Sequence, residues 1–244
     1  MLLRSTDGVT WEPSGDVWLT LLHGETAYME VFDGHLYASM GDMRFSVGVG
    51  LMKLLRTDGT EWELVETDIE LGDDDFYFGD LKVFNGHLYA GTSGRNERPG
   101  GDRTAEVWRT ADGSHWDRVA ELHSPTMAEV KSMEVFNGYL YVGTKNHPAT
   151  DEEATGPQLW RTGDGTTWEQ VSTDGQFSTR RLHLDSLRVY GDHFYAGIGG
   201  SNPPAPLATV YRSEDGLHWE EVTPLGLARD ECCIPLYFTV NFSN

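Results

Sequence analysis

The sequence predicts an all-β fold, a five-bladed β-propeller forming a single domain over residues 1–244. Three observations carry this: a tryptophan-ended turn motif that occurs five times, a hairpin motif between its copies, and a composition suited to short strands. The chain has 28 glycines and 11% aromatic residues, and its hydrophobic share is 39%. That mix favours turns and half-buried strands over long helices, and it is too aromatic for a disordered chain.

The first motif reads Arg4-Ser5-Thr6-Asp7-Gly8-Val9-Thr10-Trp11 and returns at Arg109–Trp116, Arg161–Trp168 and Arg212–Trp219. A copy one residue shorter runs Arg56-Thr57-Asp58-Gly59-Thr60-Glu61-Trp62. The tryptophans Trp11, Trp62, Trp116, Trp168 and Trp219 are spaced by 51, 54, 52 and 51 residues, a period suited to a propeller blade. Within each copy, Asp7, Asp58, Asp112, Asp164 or Asp215 can accept bonds from turn amides while glycine supplies the positive φ. The second motif reads Val31-Phe32-Asp33-Gly34-His35-Leu36-Tyr37, then Val83–Tyr89 and Val135–Tyr141, with a looser copy at Val189–Tyr195. Asp-Gly or Asn-Gly between β-branched and aromatic runs is a strong signal for a two-residue hairpin.

Two hairpins per period give four strands, A to D from the centre outward, with the Val-Phe hairpin as A–B and the tryptophan hairpin as C–D. The chain then begins on outer strands of a closing blade built from both termini. From motif Trp to strand-A Val the steps are 20, 21, 19 and 21, and Trp219 plus 21 lands on Val240 in Tyr237-Phe238-Thr239-Val240-Asn241-Phe242. That blade is expected to lack one strand, which leaves an edge open to self-association.

Residues repeated in every blade belong to the scaffold: the five motif arginines, aspartates and tryptophans, and the hairpin histidines His35, His87 and His193. A single site needs residues that break the pattern. The variable segments are 39–49, 91–105, 146–157 and 199–207 between strands B and C, and 18–28, 68–79, 122–131 and 173–185 between blades. All fall on one face, where binding groups are expected. Trp18, Tyr28, Phe76, Tyr77 and Phe177 there can stack on sugar rings or anchor a partner, and Arg188 is a candidate ligand contact. Carboxylates at or just before the A strands, Glu30, Asp80, Glu134 and Asp185, are candidates for paired acid and nucleophile or base. His23, His123 and His183 lie on three different crossings and are weak metal candidates without ligand spacing. No metal or other cofactor is expected. The residue before the strand-A Val runs Glu30, Lys82, Glu134, Arg188 and Thr239, which predicts neighbouring ion pairs round the channel and makes Glu30 and Glu134 structural anions.

The fivefold turn resembles the Asp box, the BNR repeat of sialidase-like propellers, usually written Ser/Thr-x-Asp-x-Gly-x-x-Trp. Here Asp and Gly are adjacent at every copy. The resemblance implies the propeller fold and places the box away from the catalytic face; the family spans glycosidases, carbohydrate-facing proteins and members without activity.

A net charge of -21 opposes nucleic acid and anionic membrane surfaces as partners, and no apolar run reaches the length of a membrane span. The start has no signal-peptide h-region, and the two cysteines, Cys232 and Cys233, are adjacent and provide no disulfide framework. A mature secreted or surface domain is favoured over a cytoplasmic one. With no convergent catalytic motif, the leading expectation is a non-catalytic binding propeller, not an enzyme, whose loop face holds a glycan or protein. A glycoside hydrolase using strand-A carboxylates and a bare scaffold or truncated repeat array are the alternatives.

Overall fold

The computed structural model describes residues 3–13, 24–42, 51–67, 69, 75–94, 104–123, 127–147, 156–173, 176–177, 183–199 and 208–223. All regular structure among them is antiparallel strand. A two-stranded pair, β1 (Leu3–Arg4) and β2 (Glu12–Pro13), comes first. Four units of one design follow. They are β3 (Gly24–Phe32) to β6 (Trp62–Val65), β7 (Asp75–Phe84) to β10 (Asp117–His123), β11 (Met127–Phe136) to β14 (Glu169–Gln170), and β15 (His183–Tyr190) to β18 (Glu220–Glu221). In each, the four strands pair in chain order. This is the blade of a β-propeller-like fold.

Both turn types follow from their residues. In three A–B hairpins, Asp33, Asn85 and Asn137 take φ of 46°, 47° and 48° and the next glycine is also positive. Positive φ at both central positions twists the turn as the strands require. In the Asp turns, the serine or threonine hydroxyl accepts the glycine N–H, at 2.8 Å from Ser5, Thr110, Thr162 and Ser213. The aspartate Oδ1 accepts the next two amides, as at Asp164 from Thr166 and Thr167, both 2.7 Å. The preceding arginine pairs with a glutamate just past the motif tryptophan: Arg4–Glu12, Arg56–Glu63, Arg161–Glu169 and Arg212–Glu220. These repeated residues are scaffold.

The cores lie between units. Phe32, Tyr37, Leu54 and Val65 of the first pack with Phe78, Leu81, Leu88, Trp108 and Trp116 of the second, and two further clusters join second to third and third to fourth in the same way. The closing tyrosine of each of the first three A–B motifs reaches across to the next unit's Asp turn. A Cβ added at Gly113, Gly165 or Gly216 would lie 2.1, 2.0 or 2.2 Å from the hydroxyl of Tyr37, Tyr89 or Tyr141. Single ladder pairings, Glu129 with Ser93 and Lys145 with His183, stitch the last three units into one sheet.

The first strands β3, β7, β11 and β15 lie side by side. They extend further than the sequence suggests: the crossings expected at 18–28, 68–79, 122–131 and 173–185 give way to strand at Gly24, Asp75, Met127 and His183. The reason is a register shift in each, between Glu25 and Tyr28, Phe78 and Asp80, Val130 and Ser132, and Leu184 and Ser186. A bulge breaks the two-residue alternation by which a strand is recognised. The expected terminal A strand at Val240 lies outside the described residues.

Candidate active site

The bulges place the chemistry. Tyr28 and Asp80 stand just after the shifts of β3 and β7, and Asp185 is the extra residue of the β15 bulge. Glu129 stands on the same stretch of β11, two residues before Lys131, the extra residue there. Tyr28, Asp80, Glu129 and Asp185 thus stand on four neighbouring inner strands, close enough for the three carboxylates to act electrostatically on the Tyr28 phenol. Burial and the charges of Asp80, Asp185 and Glu129 push that phenol up to about 12. The phenol therefore stays a neutral hydrogen-bond donor among carboxylates.

The three carboxylates differ in environment. Asp80 Oδ1 accepts the Leu81 N–H at 2.8 Å and Oδ2 accepts the Met133 N–H from β11 at 2.6 Å. Burial nonetheless pushes its carboxyl up to about 6, outweighing those two amides and the charges of Arg188 and Lys82. Each oxygen retains a second lone pair that can carry a proton. Asp185 is half-exposed, 3.5 Å from His183 Nδ1, and leans over Gly199, where a Cβ would lie 2.3 Å from its Oδ2. Glu129 is buried and paired to Lys145 Nζ at 3.6 Å; desolvation holds that ammonium below the usual lysine range. A buried acid on β7 and a solvated carboxylate on β15 give the contrast in environment that general acid–base chemistry uses.

The residues before the strand-A valines have other work. Lys82 Nζ lies 2.7 Å from Glu134 Oε1, and Arg188 Nη1 lies 3.5 Å from Glu134 Oε2, giving two of the three expected ion pairs. Glu30 does not join Lys82; its Oε1 accepts the Val83 N–H of the next inner strand at 3.1 Å. Glu30 and Glu134 are thus tied into the scaffold, and Arg188 is held by Glu134 and by its hydrogen bond to Leu187 O. Thr239, the expected fifth member, lies outside the described residues.

Other candidates separate from this group. Trp18 and His23 lie outside the described residues, and only the backbones of Phe76, Tyr77 and His123 are described, all in strands. Phe177 is core rather than a stacking platform, with its ring 5.4 Å from Tyr211 and 5.6 Å from Trp219. Among the described residues no three His, Cys, Asp or Glu side chains are placed to hold a metal ion. Sequence reasoning passed over Glu129. Its signal was a charged residue six before the strand-A valine, on a strand whose inner end the bulge concealed.

No protein-family model matches the chain, and a search of curated proteins finds no match. Solved structures do match. The α-L-arabinofuranosidase Arb93A of Fusarium graminearum superposes with a TM-score of 0.57 at 15% identity, over 82% of this chain and 66% of that one. The exo-β-1,3-galactanase of Clostridium thermocellum gives 0.56 at 14%, over 85% and 49%, and the GH32 β-fructofuranosidase of Bombyx mori gives 0.52 at 14%, over 81% and 48%. The chain therefore spans less than two thirds of each. At these identities the likeness establishes the fold, a β-propeller-like one carried by glycoside hydrolases. It corrects two expectations, that the chain is a non-catalytic binding propeller and that it is not an enzyme. The similar folds belong to enzymes that cleave glycans, among them an arabinofuranosidase, a galactanase and a fructofuranosidase.

Proposed function

We propose that the chain is the propeller of a glycoside hydrolase, with Asp80 as proton donor, Asp185 as the second carboxylate, and Tyr28 donating a hydrogen bond between them. The observation that carries the reading is the placement of Tyr28, Asp80, Glu129 and Asp185 on four successive inner strands, the three carboxylates acting on the Tyr28 phenol and burial raising Asp80 to about 6. Glycosidic cleavage needs one carboxyl that keeps its proton and one that stays ionised, on opposite sides of the scissile bond. The enzymatic character of the similar folds supports the same reading. We further propose that the units form a five-bladed ring with β1 and β2 as outer strands of the fifth blade, that the Asp turns are of Asp-box kind, and that the protein works on glycans as a secreted or surface domain. Five turn motifs at a near-constant period support the count.

The test is hydrolysis of arabinofuranosides, galactosides and fructofuranosides, each with natural sugar and activated aryl leaving groups. Asp80→Asn is expected to lower kcat by about 100-fold or more on sugar leaving groups, and far less on an aryl group that departs without a proton. Asp185→Asn is expected to depress both alike. Equal loss on both substrates in Asp80→Asn, or no turnover by the wild type on any of them, overturns the assignment.

A further inference from the structure

The β7–β8 hairpin that carries Asp80 lacks side chains at two positions facing β11. Counting back four from the strand-A valine gives Ala27, Gly79, Lys131 and Asp185 in the four units. In the last three this is the extra residue of the bulge. Only the second unit has glycine there, directly before Asp80. A Cβ at Gly79 would overlap the main-chain oxygen of Val130 on β11 and lie 2.8 Å from its carbonyl carbon. Across the hairpin, Gly91 is the ladder partner of Asp80. A Cβ at Gly91 would overlap Val130 Cγ1 and lie 2.5 Å from Val130 Cβ. The two glycines thus form a slot. Val130, itself buried, fills it with its main chain over Gly79 and its side chain over Gly91.

The next interface shows what the slot changes. There Gly143, at the position of Gly91, receives Leu184, at the position of Val130, but Lys131 stands in place of Gly79. Ser132, at the position of Asp80, donates its hydroxyl to Leu184 O at 2.9 Å. In the second unit the corresponding carbonyl, that of Val130, lies against Gly79 instead, and Asp80 Oδ2 accepts the Met133 N–H at 2.6 Å. Directly opposed residues of an antiparallel pair share a face, so Val130 covers Gly91 on the face that Asp80 occupies. We propose that Gly79 and Gly91 are positioning residues for Asp80: the slot they leave seats β11 against β7 and so keeps water from the carboxyl. The inference rests on the reading of Asp80 as proton donor and adds what shelters that proton. Burial is the largest influence on this carboxyl, outweighing the amides of Met133 and Leu81 and the cations Arg188 and Lys82. Lifting β11 away removes burial and the Met133 amide together, and because burial dominates, ionisation moves to lower pH. The groups that surround Asp80 on the packed strands are Tyr28 of β3, Lys82 of β7, Glu129 and Glu134 of β11, and Asp185 and Arg188 of β15. All are left intact by the substitutions below, apart from Asp80 itself.

The test is urea unfolding of the full chain carrying Gly79→Ala, Gly91→Ala or Val130→Ala, at a series of acid and neutral pH values. Each variant is measured beside the same variant with Asp80→Asn added, and the difference between the paired curves isolates the Asp80 ionisation. The wild-type pair should place it at about 6. Gly79→Ala, which collides with main chain, should lower it by about one pH unit or more. Gly91→Ala should lower it by less, since what it crowds is the Val130 side chain. Val130→Ala only removes methyl groups, so it reads the slot even if a glycine variant does not fold, and it too should lower the ionisation. Gly143→Ala, which crowds Leu184 one interface on, is the control: it should reduce stability and leave the Asp80 ionisation at its wild-type value. An ionisation unchanged in every slot variant that folds, or lowered equally by Gly143→Ala, would overturn the proposal. A wild-type ionisation at the ordinary 3.8 would overturn it as well. None of these readings needs turnover: the expected shifts in a chain that hydrolyses no glycan would uphold the slot and remove the proton-donor reading alone.

Discussion

Asp80 carries a pH dependence opposite in sign to that of most paired carboxylates. Its carboxyl ionises near 3.8 in the unfolded chain and at about 6 when folded. Between those values the folded state holds a proton that the unfolded state has lost. The stabilisation is thus complete below 3.8 and is lost as pH rises to about 6. Two pH units correspond to roughly 3 kcal/mol. The Asp80→Asn variant should therefore show a flatter stability curve than the wild type across this window, whatever its absolute stability, as read by urea unfolding at several pH values. Parallel curves would sink the assignment. At this scale the sequence told only part of the story. It named Asp80 and Asp185 among four strand-A carboxylates and Tyr28 as a stacking ring, but what separates Asp80 from Glu134 is that burial dominates at Asp80 whereas Glu134 is paired with Lys82, a property of packing. Glu129 escaped notice because its strand appeared to begin later than it does.

Among the elements, the turns were the most legible, since each is dictated locally by Asp-Gly or Asn-Gly and a hydroxyl two or three residues before. The inner ends of the strands were the least, since a bulge is fixed by the neighbouring strand and leaves no mark in the alternation of residues. The Asp turns also join one unit to the next, which gives a paired prediction. Gly138 and Gly165 both have positive φ, 79° and 82°, but only Gly165 lies under a tyrosine hydroxyl; nothing stands within 4 Å of a Cβ at Gly138. Gly138→Ala should cost about 1–2 kcal/mol for the left-handed backbone alone. Gly165→Ala adds displacement of the buried Tyr89 and should cost about 1–3 kcal/mol more. Tyr89→Phe removes the hydroxyl and should return much of that extra loss. Thermal unfolding of the three variants and the Gly165→Ala, Tyr89→Phe double variant checks this, and equal costs at the two glycines would refute the inter-unit contact. The turn aspartates Asp7, Asp112, Asp164 and Asp215 follow the usual sign: amide hydrogen bonds hold them well below the ordinary carboxylate range. Their stabilisation is present above 3.8 and fades as pH falls below it.

Across the whole molecule, the alternating charges read from the sequence become a partly buried chain, Lys82–Glu134–Arg188, linking three inner strands. Lys82→Met should destabilise by about 2–3 kcal/mol, less than a fully buried pair, because the lysine is 21% exposed. Combining it with Glu134→Gln should cost less than the sum of the two, by about 1 kcal/mol or more, in a double-mutant cycle. Strict additivity would show the ion pair to be incidental. Glu30→Gln should change little, since the amide oxygen can still accept the Val83 N–H. The placement of the hydrophobic clusters between units has a broader consequence. Among the described residues no unit owns a core of its own, so stability is largely a sum over interfaces, as in a one-dimensional array. Opening one interface in an unclosed array creates two free ends, whereas a closed ring loses its first interface without releasing any unit. Closure into a ring would turn gradual fraying from the ends into a single cooperative transition, whereas an array left open should melt in steps, its end units before the middle pair.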